Sequence, residues 1–196
     1  MPSQLPAILV EGQDELDLFP AILGDGLYGQ IRLIEAKGKD GFASRLKREI
    51  AESNDAKPLI LGIVHDCDED AQAVKQKVLA IWKIEAGKVA GPIPLLLLPS
   101  DNGTGSFEAL CWQAVVASAE LQACAQSFID CVAEHPNGLG TQAQREKAKF
   151  VSLAFAATGM QTYRVGKSQQ LVDPAHPAFD PIRQFARALI AKAKES

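Results

Sequence analysis

The sequence is poor in the features that would assign it quickly. Its four cysteines, spread over 196 residues, include no C-x-x-C pair, so neither a zinc knuckle nor a redox-active dithiol is written into their spacing. The three histidines, His65, His135 and His176, have no metal-ligand spacing to one another or to cysteine. Apolar runs are short, as in Leu95–Leu98 between two prolines, far below the roughly 18 residues of a membrane-spanning helix. Positive charge is not in excess. Lysine and arginine number 20 against 24 aspartates and glutamates, a formal net charge of −4, which excludes a generally cationic nucleic-acid coat. No G-x-x-x-x-G-K-[ST] phosphate loop occurs. The amino-terminal residues carry no cationic leader and turn polar after a few apolar positions, so the expected address is the cytoplasm.

What is present is the composition of a globular domain able to bury a core, with 47% hydrophobic and 22% charged residues. The first half alternates β-rich runs (7–10, 31–36, 59–64 and 94–98) with amphipathic stretches, the sign of parallel strands joined by crossover helices. An α/β fold with a four-stranded parallel sheet is expected. Helices are expected over 14–23, where Pro20 should bend or shorten the element, over 40–52 with Phe42, Leu46 and Ile50 inward, and over 69–86 with Val74, Val78, Ile81 and Trp82 inward. Beyond 105 everything reads as helix or irregular chain. An apolar stripe of Phe107, Leu110, Ala114, Val115, Leu121, Cys124, Phe128 and Val132 marks a long helix or a helical pair. Further helices are expected from Thr141, carrying Phe150, Leu153, Ala154 and Phe155, and around Phe179 to Ile190. The division is an α/β core over 1–105 and a helical extension over 106–196. Cys124 and Cys131, seven apart, fall on one side of a helix, and free buried thiols are expected for all four cysteines.

The chemistry lies in two acidic clusters. Strand one runs into Glu11-Gly12-Gln13-Asp14-Glu15 and strand three into His65-Asp66-Cys67-Asp68-Glu69-Asp70, both at carboxyl ends of parallel strands, where open α/β sheets bind ligands. In extended chain, residues two apart point the same way, so Asp66 and Asp68 can aim at one point; Glu11 and Glu15, four apart, can share a face. Two carboxylates about 4 Å apart repel by about 4 kcal/mol at an effective dielectric near 20, so several together call for a cation. All-oxygen ligation selects hard ions, magnesium first, with manganese or calcium next. Glu69 and Asp70 are better suited to capping the next helix. His65 is expected to be hydrogen-bonded rather than catalytic.

The ordered combination of ILVEG and IVHDCDED in an alternating framework resembles the Toprim domain, the metal-binding, Rossmann-like fold shared by topoisomerases, bacterial primases and the overcoming-lysogenisation-defect (OLD) nucleases. The nuclease branch is the more similar. It carries a second glutamate, a later S-x-E segment and a downstream lysine, which correspond here to Glu15, to Ser106-Phe107-Glu108, and to Lys149 ahead of Lys147. The resemblance implies two metal ions, one held by Glu11, Glu15 and Asp66 and the other by Asp68 and Glu108, clamping a phosphodiester while the lysine supplies positive charge. Glu108 is equally suited to a capping role beside Ser106. The closing HPAFDPIRQFARAL segment is similar to small stand-alone Toprim-like proteins without an assigned reaction.

Two other readings stand beside this one. In a phosphatase resembling the haloacid dehalogenase group, Asp66 is the nucleophile and Asp68 the general acid; in a non-catalytic module, the same residues bind metal or nucleic acid without turnover. With a net negative chain, contact with a nucleic acid or nucleotide has to come from a local patch, and Lys37, Lys39, Arg45, Lys47 and Arg48, set against Asp40 and Glu49, supply one after strand two.

Overall fold

A computed structural model describes residues 5–53, 59–68, 70–86, 92–99, 104–135, 138–158 and 171–195. Glu69, most of the polar loop after strand four, and Pro136, Asn137 and Gly159 lie outside the described residues. The alternation read from the sequence resolves into β1 (Ala7–Val10), α1 (Gln13–Tyr28), β2 (Arg32–Glu35), α2 (Phe42–Ala51), β3 (Leu61–Asp66), α3 (Ala71–Ala86) and β4 (Leu95–Leu98). There follow α4 (Phe107–Gln113), α5 (Ala119–Ala133), α6 (Gln142–Thr158), a 3-10 turn (Pro177–Phe179) and α7 (Asp180–Glu195). The four strands form one parallel sheet in the order β2-β1-β3-β4. Because the chain leaves β1 for β2 on one side and then crosses to β3 on the other, the carboxyl ends of β1 and β3 flank a topological switch point, the place where such sheets open a crevice.

Side-chain alternation divides the core into two layers. Ile8, Val10, Val64 and Leu98 face α1, α4, α6 and α7, packing on Phe19, Phe107, Phe150, Phe179 and Leu189. Ala7, Leu9, Leu61 and Ile63 face α2 and α3, packing on Phe42, Leu46 and Val78. The carboxy-terminal helices thus complete one face of the sheet. Gly62 makes this approach possible, since a β-carbon there would stand 2.6 Å from Leu189 Cδ1 and 2.7 Å from Phe185 Cζ.

Several expectations need correcting. Pro20 lies inside α1, and the interruption falls at Gly24, whose φ of 65° and ψ of 166° are open to glycine and closed to residues with a β-carbon. Burial of Phe19, Ile22 and Leu23 holds the helix across the proline. Strand three runs on through His65 and Asp66 instead of stopping at Val64. The apolar stripe expected from Phe107 to Val132 is buried along α4 but not along α5. Leu121 and Phe128 are exposed and Ala125 and Ile129 face inward. Residues 114–118 are irregular, held to the chain near Val172 by Val116 N–H to Leu171 O and Asp173 N–H to Ala114 O. That break resets the helical phase. Phe155 is likewise exposed on α6. All four cysteines are free, but only Cys67 and Cys111 are buried; Cys124 and Cys131 are exposed on the outer side of α5. Asp70 caps α3 as expected, accepting from the amides of Gln72 and Ala73. No helix among the described residues is long and apolar enough to cross a membrane.

A side chain at position 62 has to displace α7 from the sheet. Gly62→Val should therefore lower unfolding free energy by about 1–3 kcal/mol, read by urea denaturation followed by circular dichroism. Unchanged stability would show that α7 does not bear on β3.

Candidate metal centre

Backbone geometry carries the acidic side chains to the switch point. Glu11 follows β1 directly. Glu15 sits in the first turn of α1, where its Oε2 accepts the Gly12 N–H at 3.0 Å, the return half of a capping box. Asp66 ends β3, and its Oδ1 accepts the Phe107 N–H at 2.9 Å across the amino terminus of α4. That donor is fixed because the Phe107 ring is almost fully buried, edge-on to Phe19 at 5.6 Å and tilted against Phe179 at 6.3 Å. Glu108, the next residue, is buried and pairs with the Lys147 ammonium of α6 at 3.2 Å.

Glu11, Glu15, Asp66 and Glu108 are thereby brought into one field. Burial raises the Glu15 carboxyl from its ordinary 4.5 to about 8, with the charges of Glu11 and Glu108 adding to the effect. Burial, then the charges of Glu15, Glu108 and Glu11, lift Asp66 well above its ordinary range. The Cys111 thiol, also buried beside these carboxylates, is pushed up in the same way and stays a thiol. His65 donates from Nδ1 to the Asp66 carbonyl at 2.9 Å and lies 3.6 Å from Glu11 Oε2, a buried atom with no hydrogen-bond partner among the described residues. Ser106 Oγ, at the head of α4, is buried with no hydrogen-bond partner among the described residues.

Asp68 takes a different path from the one its spacing implies. The extended conformation ends at Asp66, and Asp68 adopts φ 53°, pinned by two backbone bonds to Gly105, at 2.9 and 2.6 Å. Its Oδ2 accepts from Lys39 Nζ at 2.5 Å. The D-x-D pair is therefore not two residues on one face of a strand. Lys39 lies in the field of Glu11 and Asp66 as well; burial opposes its charge, but the Asp68 bond and the three carboxylates outweigh this and raise its pKa.

The lysine preference is also corrected. Lys147 reaches the cluster, whereas Lys149, two residues on and so about 200° round α6, stacks its ammonium 4.3 Å over the Trp112 ring. Its pKa is lowered by burial, against the opposing pull of Glu146 and Asp130. Of the basic residues after β2, Arg45 pairs with buried Glu49 at 3.0 Å, Arg48 with Glu52 at 2.8 Å and Lys39 with Asp68. The cationic patch available to an outside ligand is correspondingly smaller than its sequence count. Lys39, expected as part of a cationic patch for a nucleic acid or nucleotide, is bonded instead to Asp68. Glu146 was not singled out by the sequence; among the described residues its Oε2 is buried without a hydrogen-bond partner, 2.5 Å from where a Gly105 β-carbon would stand.

Among the described residues, no three Asp, Glu, His or Cys side chains are already arranged as a metal-ligand group. Glu15, Asp66, Glu108 and Asp68 lean instead on partners from the chain, in that order Gly12 N–H, Phe107 N–H, Lys147 and Lys39. The donor set nonetheless fits a hard divalent cation, since it is all oxygen, mutually repelling, and includes an unpartnered buried atom at Glu11.

A family model described as "Protein of unknown function (DUF3226)" matches residues 6–191. No curated protein matches the sequence. Among solved structures, the chain is similar to the C-terminal region of the Xanthomonas campestris pv. campestris OLD protein. The iodine-phased structure aligns with TM-score 0.51 and 14% identity over 100% of both chains, and the mercury-phased one with TM-score 0.50 and 14% identity over 99% and 100%. The C-terminal region of the Burkholderia pseudomallei OLD protein aligns with TM-score 0.49 and 16% identity over 94% of this chain and 98% of that one. At these identities the Xanthomonas structures establish a shared fold.

The raised carboxyls make the metal-free protein sensitive to alkali. Below pH 4.5 Glu15 is protonated folded or unfolded, and it costs nothing. Between 4.5 and about 8 only the unfolded chain ionises, so stability falls as pH rises, and above 8 the loss levels off. Urea midpoints in chelator at pH 5, 6.5 and 8 should decline in that order, by up to about 1.4 kcal/mol per pH unit from this group. Glu15→Gln should make the decline shallower. A slope identical to wild type would remove Glu15 as its source.

Proposed function

The chain belongs to the DUF3226 family of proteins of unknown function, and we propose that it is a Toprim-like, metal-dependent phosphodiester hydrolase, a nuclease acting on nucleic acid. The observation that carries this reading is Asp66, half-buried at the end of β3 in the field of Glu15, Glu108 and Glu11. A fold gains nothing from four crowded acids at a crevice unless a cation sits there. Glu11, Glu15 and Asp66 would hold one magnesium ion and Asp68 with Glu108 a second; manganese and calcium are the other hard ions the oxygens suit. Bound divalent cations supply acidification of water and neutralisation of phosphoryl oxygens.

The chain's own residues do the positioning. The α/β part, 1–105, offers Glu11, Glu15, Asp66 and Asp68. The helical part, 106–196, adds Glu108 through the head of α4 and the Lys147 ammonium through α6, which would stabilise charge developing on a phosphoryl group beside Glu108. Lys37 and Lys47, which have no ion pair among the described residues, extend positive charge beyond the crevice toward a phosphate backbone.

Calorimetric titration with manganese, run beside cleavage of a single-stranded oligonucleotide, tests the reading. Wild type should give heat and metal-dependent cleavage. Asp66→Asn and Glu11→Gln should abolish the heat and lower cleavage by about 100-fold or more, while Asp66→Asn keeps or raises the metal-free melting temperature because it removes a crowded charge. No heat and no metal-stimulated cleavage by wild type would overturn the proposal. Nucleic-acid binding without cleavage would leave a binding module, and a phosphoryl group trapped on Asp66 would mean a phosphatase.

A further inference from the structure

Lys39 belongs to the loop after β2, yet its ammonium bonds a carboxylate that follows β3. With the sheet ordered β2-β1-β3-β4, that contact passes over the carboxyl end of β1 and across the mouth of the crevice. Both ends of the contact are built into the backbone. On the lysine side, Ala36 N–H bonds to Val10 O and Gly38 N–H to Glu11 O, each at 2.8 Å. The chain then turns through φ 63° at Lys37 and φ 82° at Gly38. Gly41 closes the turn so tightly that a β-carbon would stand 2.0 Å from Ala36 O. On the aspartate side, Gly105 clamps Asp68 through two backbone bonds. The lysine supplies the longer and more flexible arm of the contact. An exposed ion pair held by a flexible stem is ordinarily worth little. This one is placed where a positive charge also faces Glu11 and Asp66.

We infer that Lys39 is an internal stand-in cation: it holds Asp68 in the metal-free chain, yields that carboxylate to a divalent cation, and then turns its ammonium to a phosphate of the nucleic-acid substrate. The inference rests on the function proposed above and adds to it a role for a residue outside the carboxylate set. The stem of a lysine spans several ångströms, so release from Asp68 leaves the ammonium over the same crevice. The exchange keeps the acidic cluster compensated in both states. It also makes the metal compete with a tethered charge, which weakens binding of the ion and couples it to arrival of a phosphate.

The experiment is calorimetric titration of the full chain with manganese chloride, for wild type, Lys39→Met, Lys39→Gln and Lys39→Arg, with circular dichroism to establish folding. Both neutral variants should bind manganese about tenfold more tightly than wild type, and Lys39→Arg should stay near the wild-type value. With calcium in place of manganese, binding of a short single-stranded oligonucleotide should be about tenfold weaker for the neutral variants. Manganese affinity in both neutral variants equal to or below that of wild type overturns the inference. If Glu11→Gln abolishes manganese binding while the Lys39 variants match wild type, the inference fails and the proposed function stands. If wild type binds no manganese, both fail.

Discussion

The constraint on which this structure turns is the crowding of carboxylates at the switch point of a parallel sheet. β1 and β3 end side by side and each delivers acidic residues there, while α4, which follows β4 in the chain, brings a further acid. Mutual repulsion and loss of water push the protonation of Glu15 and Asp66 upward. Every other feature of the region answers that problem. Gly12 and Phe107 offer amide hydrogens at helix starts, where the local field is positive. Lys147 and Lys39 offer ammonium groups from opposite flanks, one from α6 and one from the β2 loop.

Much of the framework was legible because it rests on local patterns. The parallel sheet follows from apolar runs alternating with amphipathic stretches, and the position of Glu11 and Asp66 follows from where those runs stop. The glutamate of E-G and the first aspartate of D-x-D mark residues that the fold brings together. What could not be read depends on contacts far apart in sequence. Asp68 leaves the extended conformation because Gly105, beyond β4, pairs with it. Which lysine of Lys147 and Lys149 faces the acids is decided by the rotation of α6 about its axis, and Trp112 captures the other. The outward turn of Leu121, Cys124 and Phe128 is set by an irregular stretch whose bonds go to residues near Val172. Spacing within a helix is readable; its phase relative to a neighbour is not.

The site is also composite in a way that a boundary near residue 105 obscures. Asp66 is held by an amide of α4, and that amide is held by the burial of Phe107 between Phe19 and Phe179. The buried phenyl ring contributes about 1.5–3 kcal/mol, enough to fix the donor against local fraying. Gly62 then lets α7 close the same layer from outside. The helical part is therefore a structural condition of the acidic cluster and not an appendage to it.

Charge distribution decides what kind of partner the site can meet. The basic residues after β2 form a conspicuous run in the sequence, but Arg45 and Arg48 are spent on neighbours of their own helix, and buried Glu49 takes Arg32 as well. Among the described residues of that run, Lys37 and Lys47 are the basic side chains left without an ion pair. The charges that remain near the crevice are Lys39 and Lys147, on either side of the acids and each engaged with one of them. The two ammonium groups thus offset part of the acidic charge from within the chain, and the cluster as a whole stays negative, so an anion approaching it alone meets net repulsion.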